Sequence, residues 1–229
     1  MEKSKYLNPN DLSRIDYKFI ADEMVRIYNG GLIHTYGARS PESVRIHWSR
    51  EWEYPWAILS SGVCWGDSIV DLGCGGSPLP IFLANKGCKV FCMDSVDVTT
   101  GSNPSLRSWG RLPQGIHFQK GDFGQSIPFD KESFQVVFCI SVLETFPTDQ
   151  LRHLYEEIFR VLKKGGRCII TLDIGRNGSW GENVLNQIIE LCNNTGRFEI
   201  LYDIPFLIPD INTLPGLYHI VGLSLAKSK

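Results

Sequence analysis

From residue 67 onward the chain alternates between short apolar runs that read as strands and longer amphipathic stretches that read as helices. SIVDL (68–72) is followed by a helix start at Ser77-Pro78 that runs through IFLANKG, and then by CKVFCMD (88–94). Strand, helix and strand in so short a span form the βαβ unit of a parallel sheet. IHFQKGD (116–122) and FQVVFCIS (134–141), rich in β-branched and aromatic residues, read as a third and fourth strand. TDQLRHLYEEIFRVLKKGG (148–166) carries the clearest helical spacing, with Leu151, Leu154, Tyr155, Ile158, Phe159 and Leu162 on one face. Thr148 stands at the N-cap and Gly165-Gly166 at the stop. RCIITLDI (167–174) is the fifth strand, and a further helix is expected over 181–194. RFEILYDIPF (197–206) and YHIVGLSLAK (218–227) are joined by a proline-broken connection too short for a crossover helix, which predicts antiparallel pairing at one edge.

The first 65 residues have a different rhythm. They predict a helix over 11–28, a glycine turn at Gly30-Gly31 and a second helix start at Ser40-Pro41. The sequence thus divides into a helical cap or lid over 1–65 and a sheet domain over 66–229.

The join after the first strand, VDLGCGGSPLP (70–80), crowds Gly73, Gly75 and Gly76 beside Asp71. Glycine weakens regular elements, so this density implies a backbone that something approaches closely. In an open parallel sheet, ligands bind beyond the C-terminal strand ends, where a helix N-terminus also presents free N–H groups. A dinucleotide fingerprint would put its third glycine where Pro78 stands. Acid-x-Gly-x-Gly at that place instead resembles the class I S-adenosylmethionine-dependent methyltransferases, in the broad group that includes the ubiquinone and menaquinone C-methyltransferases.

The resemblance covers about residues 65–175 and implies a fold and a site. The fold is α/β: a Rossmann-like, doubly wound, mostly parallel seven-stranded sheet with an antiparallel last strand. Asp71, Gly73, Cys74 and Gly75 would form the cofactor loop, and Asp94, at the end of the second strand, would accept both ribose hydroxyls. Asp122 would take the adenine amino group, with Phe123 covering the ring, and the backbone near Ile140 would also contact the cofactor, S-adenosyl-L-methionine. VLKKGG (161–166) resembles the turn before the fifth strand. Thr145 stands where such enzymes commonly have His, so no base is carried over from that position.

Composition narrows the partners. With 43% hydrophobic residues in 229, the chain can bury one sizeable core, and a formal charge of −2 leaves no footprint for a phosphate backbone. The motifs that methylate exocyclic base amines or cytosine carbons are absent, which leaves a small-molecule acceptor. No stretch approaches the roughly 20 apolar residues of a membrane span. Seven scattered cysteines show no metal-ligand spacing, so no metal is expected and a cytoplasmic setting is.

Trp48, Trp52 and Trp56 recur every four residues beside Tyr54. Such a stripe either packs the N-terminal layer onto the sheet or forms an aromatic lid over a cationic ligand. Glu144, Asp173 and His219 are the candidate catalytic groups, and Tyr218 is a further substrate contact, because they cluster at strand ends. Methyl transfer from a sulfonium needs alignment more than acid–base chemistry, so no catalytic residue need show in the sequence. A silent binding domain stands as the alternative, and a nicotinamide-dependent oxidoreductase, discouraged by Pro78, as a third reading.

Overall fold

In a computed structural model of the chain, residues 2–32, 49–99, 109–175, 181–201 and 218–228 are described. The elements are β1 (Lys5–Tyr6), α1 (Ile15–Ile27), α2 (Arg50–Ser61), β2 (Ser68–Leu72), α3 (Leu79–Asn85), β3 (Lys89–Asp94), β4 (Ile116–Lys120), β5 (Phe134–Ile140), α4 (Thr148–Val161), β6 (Leu162–Gly175), α5 (Glu182–Thr195), β7 (Phe198–Leu201) and β8 (Tyr218–Lys227). The strand order is β1-β8-β6-β5-β2-β3-β4, with β7 also on β8. The strands from β6 to β4 run parallel, whereas β8 is antiparallel to β6, β7 and β1. This is the doubly wound α/β sheet that the alternation implies. The expected edge pairing of β7 with β8 is present, in the register Phe198↔Lys227.

Strand alternation sorts the apolar side chains into two cores. Val70, Leu72, Val137, Cys139, Ile170, Leu172, Val221 and Leu223 face α4 and α5. Ile69, Val136, Phe138, Ile169 and Ile220 face the layer that holds α1, α2 and α3. Both faces of the central strands are covered, which is why those strands read as almost unbroken apolar runs.

Three features differ from the sequence reading. The sheet has eight strands, because Lys5 and Tyr6 pair with Gly222 and Val221 of β8. Two residues are too short a run to carry a periodic signal. Next, α4 ends at Val161, ahead of Gly165-Gly166, which lie inside β6. A Cβ on Gly166 would stand 2.9 Å from the Gln135 carbonyl oxygen, so this glycine serves a close strand approach. The N-cap of α4 is Pro147, and Thr148 makes no capping bond. Lys227 supplies the cap at the other end, donating from Nζ to the Phe159 carbonyl at 2.8 Å and the Leu162 carbonyl at 2.6 Å.

α2 continues through Pro55 to Ser61 and lies across β6 and β8. Trp52 and Trp56 are both 0% exposed and stack at 5.5 Å. Trp52 Nε1 donates to Asp11 Oδ2 at 2.9 Å and Trp56 Nε1 to the Lys3 carbonyl at 3.1 Å, so each ring is pinned by the N-terminal segment. The aromatic-lid expectation is therefore corrected for these two residues: they are packing. A polar handle that is satisfied inside the layer lets the indole sit there. Trp48 and the helix start at Ser40-Pro41 lie outside the described residues.

Trp56 leaves no room at its sheet contact, because a Cβ on Gly222 would fall 2.6 Å from the ring. Gly222→Ala is expected to cost about 1–3 kcal/mol by overpacking. Urea unfolding should show a lower midpoint with an unchanged slope.

Candidate active site

At the end of β2 the chain turns through Gly73 (φ 73°) and Gly75 (φ 50°), both in the left-handed region that glycine tolerates best. The two glycines do different work. A Cβ on Gly73 would lie 2.5 Å from Val142 Cγ2, so this residue admits the β5–α4 turn. A Cβ on Gly75 would meet nothing within 4 Å, so its backbone faces open space. The loop is tied to β3 twice. Gly73 N–H donates to the Met93 carbonyl at 2.8 Å, and Gly75 N–H donates to Asp94 Oδ2 at 2.9 Å. Asp94 Oδ1 also accepts from Val96 N–H at 2.9 Å. Asp94 is thus a carboxylate oriented by two backbone donors at the mouth of the sheet.

This loop borders a cavity of about 410 Å³ lined by Asp71, Gly73, Cys74, Gly75, Asp94 and Ile140. Six of the eight expected cofactor residues therefore come together, and Tyr54 joins them from α2. Asp122 and Phe123 do not line this cavity. Asp122 is exposed, with Oδ1 closing a turn onto Gly124 N–H at 2.9 Å. Phe123 is 3% exposed and packs 4.9 Å from Phe146, so its ring is held in the core beneath α4 and the expected cover over an adenine is corrected.

Sequence reasoning missed the polar groups behind the cavity. Glu53, 0% exposed on α2, accepts from Thr171 Oγ1 at 2.8 Å, from Ser141 Oγ and from Arg50 Nη1. Arg50 Nη1 also donates to Ser141 Oγ at 2.8 Å. Ser141 has φ 48°, a left-handed conformation that its amide bond to the Thr171 carbonyl (3.0 Å) and the contacts of its hydroxyl hold in place. Val96, Val98 and Ser141 also line the cavity. The one signal that pointed to Arg50 and Glu53 was their i, i+3 spacing in a helix read for its tryptophans.

The candidate catalytic acids meet at the end of β6. Asp173 N–H donates to Glu144 Oε1 at 3.4 Å, while Glu144 Oε2 and Asp173 Oδ1 are buried without a hydrogen-bond partner among the described residues. Burial, reinforced by Asp173, pushes the Glu144 carboxyl up to about 8. Burial, with Glu53 adding to it and Arg50 opposing it, raises Asp173 to about 6. Burial first and Asp94 second lift the Asp71 carboxyl well above its ordinary value. Burial likewise keeps Cys74 a neutral thiol. His219 is 5% exposed on β8 opposite Ile174. The side chain of Tyr218 lies outside the described residues.

Residues 70–170 match the family described as methyltransferase domain. A sterol 24-C-methyltransferase of Saccharomyces cerevisiae is 31% identical over 107 residues, covering 46% of this chain and 27% of that enzyme, so the match spans about a quarter of the relative's length. An S-adenosylmethionine-dependent methyltransferase of Methanosarcina mazei superposes with a TM-score of 0.52 at 19% identity, over 75% of this chain and 97% of its own. The [4+2]-cyclase SpnF superposes with a TM-score of 0.55 at 16% identity, over 95% of this chain and 97% of its own. The family match covers under half of the chain and falls on the part that runs from β2 to β6, the glycine loop included, and the superpositions show that the chain shares the fold of those solved structures. No helix among the described residues is long and apolar enough to cross a membrane.

The raised Glu144 carboxyl has a signed consequence. It holds its proton to about 8 in the folded chain and loses it near 4.5 when unfolded. The folded state therefore binds more protons between those values, and stability contributed by Glu144 is lost as pH rises through that window. Denaturant unfolding across the window should show wild-type stability falling relative to Glu144→Gln.

Proposed function

We propose that the chain transfers a methyl group from S-adenosylmethionine to a small-molecule acceptor by in-line displacement. The observation that carries the reading is the pairing of Gly75 with Asp94: a glycine backbone open to the cavity, locked to a carboxylate already oriented by two N–H donors. These residues fit the cofactor. Asp94 would hold the ribose hydroxyls, the Gly73–Gly75 backbone would lie along the chain that joins ribose to amino acid, and Val96, Val98 and Ile140 supply apolar wall. When bound, the cofactor supplies a methyl group already activated on sulfur, so the protein's task is to align it and exclude water.

An acceptor that carries a proton needs a base. Asp173 at about 6 and Glu144 at about 8 are set apart by their surroundings, so at neutral pH Asp173 is the ionised member and Glu144 the protonated one. We assign Asp173 as the base and Glu144 as its neutral neighbour. The sterol 24-C-methyltransferase match and the net charge of −2 both favour a small molecule over nucleic acid as acceptor. The free cysteines, six of them buried, fit a reducing compartment, and we place the protein in the cytoplasm.

Because one fold hosts many chemistries, the cofactor is tested before turnover. Calorimetric titration should show micromolar binding of S-adenosylmethionine and S-adenosylhomocysteine and none of NADH. Asp94→Ala should weaken both by tenfold or more, on the order of one to two lost charge-assisted hydrogen bonds. Binding of NADH alone, or an unchanged affinity in the mutant, would overturn the reading.

A further inference from the structure

Cys64 and Cys88 stand just before β2 and β3, at the opposite end of those strands from the cavity, and neither lines it. We propose that the two form a disulfide when the protein meets peroxide, a modification that staples the segment carrying the glycine loop.

Two turns touch at that end of the sheet. Residues 64–67 lead into β2 and residues 86–89 into β3, and three bonds join them. Gly66 N–H donates to the Gly87 carbonyl at 3.0 Å, Lys89 N–H to the Asp67 carbonyl at 2.8 Å, and the Cys88 thiol to the Cys64 carbonyl at 3.6 Å. Glycine permits the approach: Gly87 has φ 84°, and a Cβ there would fall 2.1 Å from the Trp65 ring. The register Ser68↔Lys89 continues the pairing into the sheet, so the two backbones keep a fixed spacing. A disulfide bridges Cα atoms about 4.4–6.8 Å apart. The Cys88 sulfur already rests on the Cys64 backbone, so what remains is rotation of the Cys64 side chain away from the Gly62 carbonyl, which its thiol meets at 3.5 Å.

Exposure sorts the roles. Of the seven cysteines, all free, Cys64 is exposed and the other six are buried. Peroxide therefore reaches Cys64 first, and its thiol becomes a sulfenic acid with release of one water. Burial, with Asp67 and Cys64 adding to it, pushes the Cys88 thiol up to about 11, so Cys88 stays protonated and is a poor target by itself. It acts as the resolving group. Its sulfur attacks the sulfenic sulfur of Cys64, the S–S bond forms, and the hydroxyl leaves with the thiol proton as a second water. Peroxide takes up the two electrons that the thiol pair loses.

The bond closes a loop over residues 65–87, which hold β2, the glycine loop and α3. Such a link restricts the unfolded chain more than the folded one, where the turns are already in contact. Oxidation thus stabilises the domain and spares Cys64 from further oxidation, and reductant reverses it.

Peroxide treatment of the full chain, followed by digestion without reductant and mass spectrometry, tests this. Fragmentation is needed to tell Cys64 from Cys74, because no lysine or arginine stands between them. Wild type should show a Cys64–Cys88 link that a thiol reductant removes, and a Tm raised by roughly 5–10 °C while linked. Cys64→Ser should abolish both. Cys88→Ser should stop at a Cys64 sulfenic acid, trapped by dimedone, with no rise in Tm. If Cys88→Ser does not fold, Cys64→Ser, on an exposed turn, decides. Cys64 carried to sulfinic acid in wild type while Cys88 stays reduced overturns the inference. So does a link from Cys64 to any other cysteine or to a second chain, or a Cys64–Cys88 link that leaves Tm unchanged.

Discussion

Glu53 is a carboxylate with no exposure to solvent, set in the first turn of α2 and reached by donors from three separate elements. Removing a charged group from water costs several kcal/mol unless hydrogen bonds replace the lost hydration. Arg50, Ser141 and Thr171 supply them, and each is positioned by doing so. The same bonds seat α2 on the sheet, hold Ser141 in its left-handed conformation beside Ile140, and aim Arg50 into the cavity. A packing interaction and the shape of the site are therefore one interaction, and a change at Glu53 would be felt at both.

The site draws its chemistry from how differently it treats similar groups. Asp94 is given two backbone donors and becomes a fixed acceptor. Asp71, Glu144 and Asp173 are raised by burial, with Asp94 adding to it at Asp71, Asp173 at Glu144 and Glu53 at Asp173. Carboxyl groups within one end of a sheet thereby divide into one held by backbone donors and three raised by burial. The division follows from topology. Parallel strands all end on the same side, so residues far apart in sequence, such as Asp71, Asp94, Ser141 and Asp173, arrive at one rim.

How legible this was depends on the range over which each feature is encoded. Residues 67–175 carry their strands and helices in local periodicity, and the glycine density at 73–76 marks the loop that borders the cavity, where Gly73 admits Val142 and Gly75 faces open space. Asp94 could be found from order alone, as the residue that ends the second strand. Phe123 shows where order stops helping: its place in the sequence suits a ring cover, yet the space under α4 claims the side chain. The tryptophans are a similar case, since four-residue spacing puts Trp52 and Trp56 on one helix face without saying what that face meets.

Neighbouring residues alone encode the α/β alternation, the antiparallel edge and the glycine loop after β2, because periodicity and turn chemistry act between neighbours. Only the tertiary structure decided that Lys5–Tyr6 extends the sheet, that Trp52 and Trp56 are packing, and that Arg50 belongs to the cavity. The contacts that settle these points join residues 88 to 118 positions apart at Glu53, and 220 apart at Ser4 and Ser224. No local pattern encodes such a pairing, because it exists only once the sheet has brought the partners to one end.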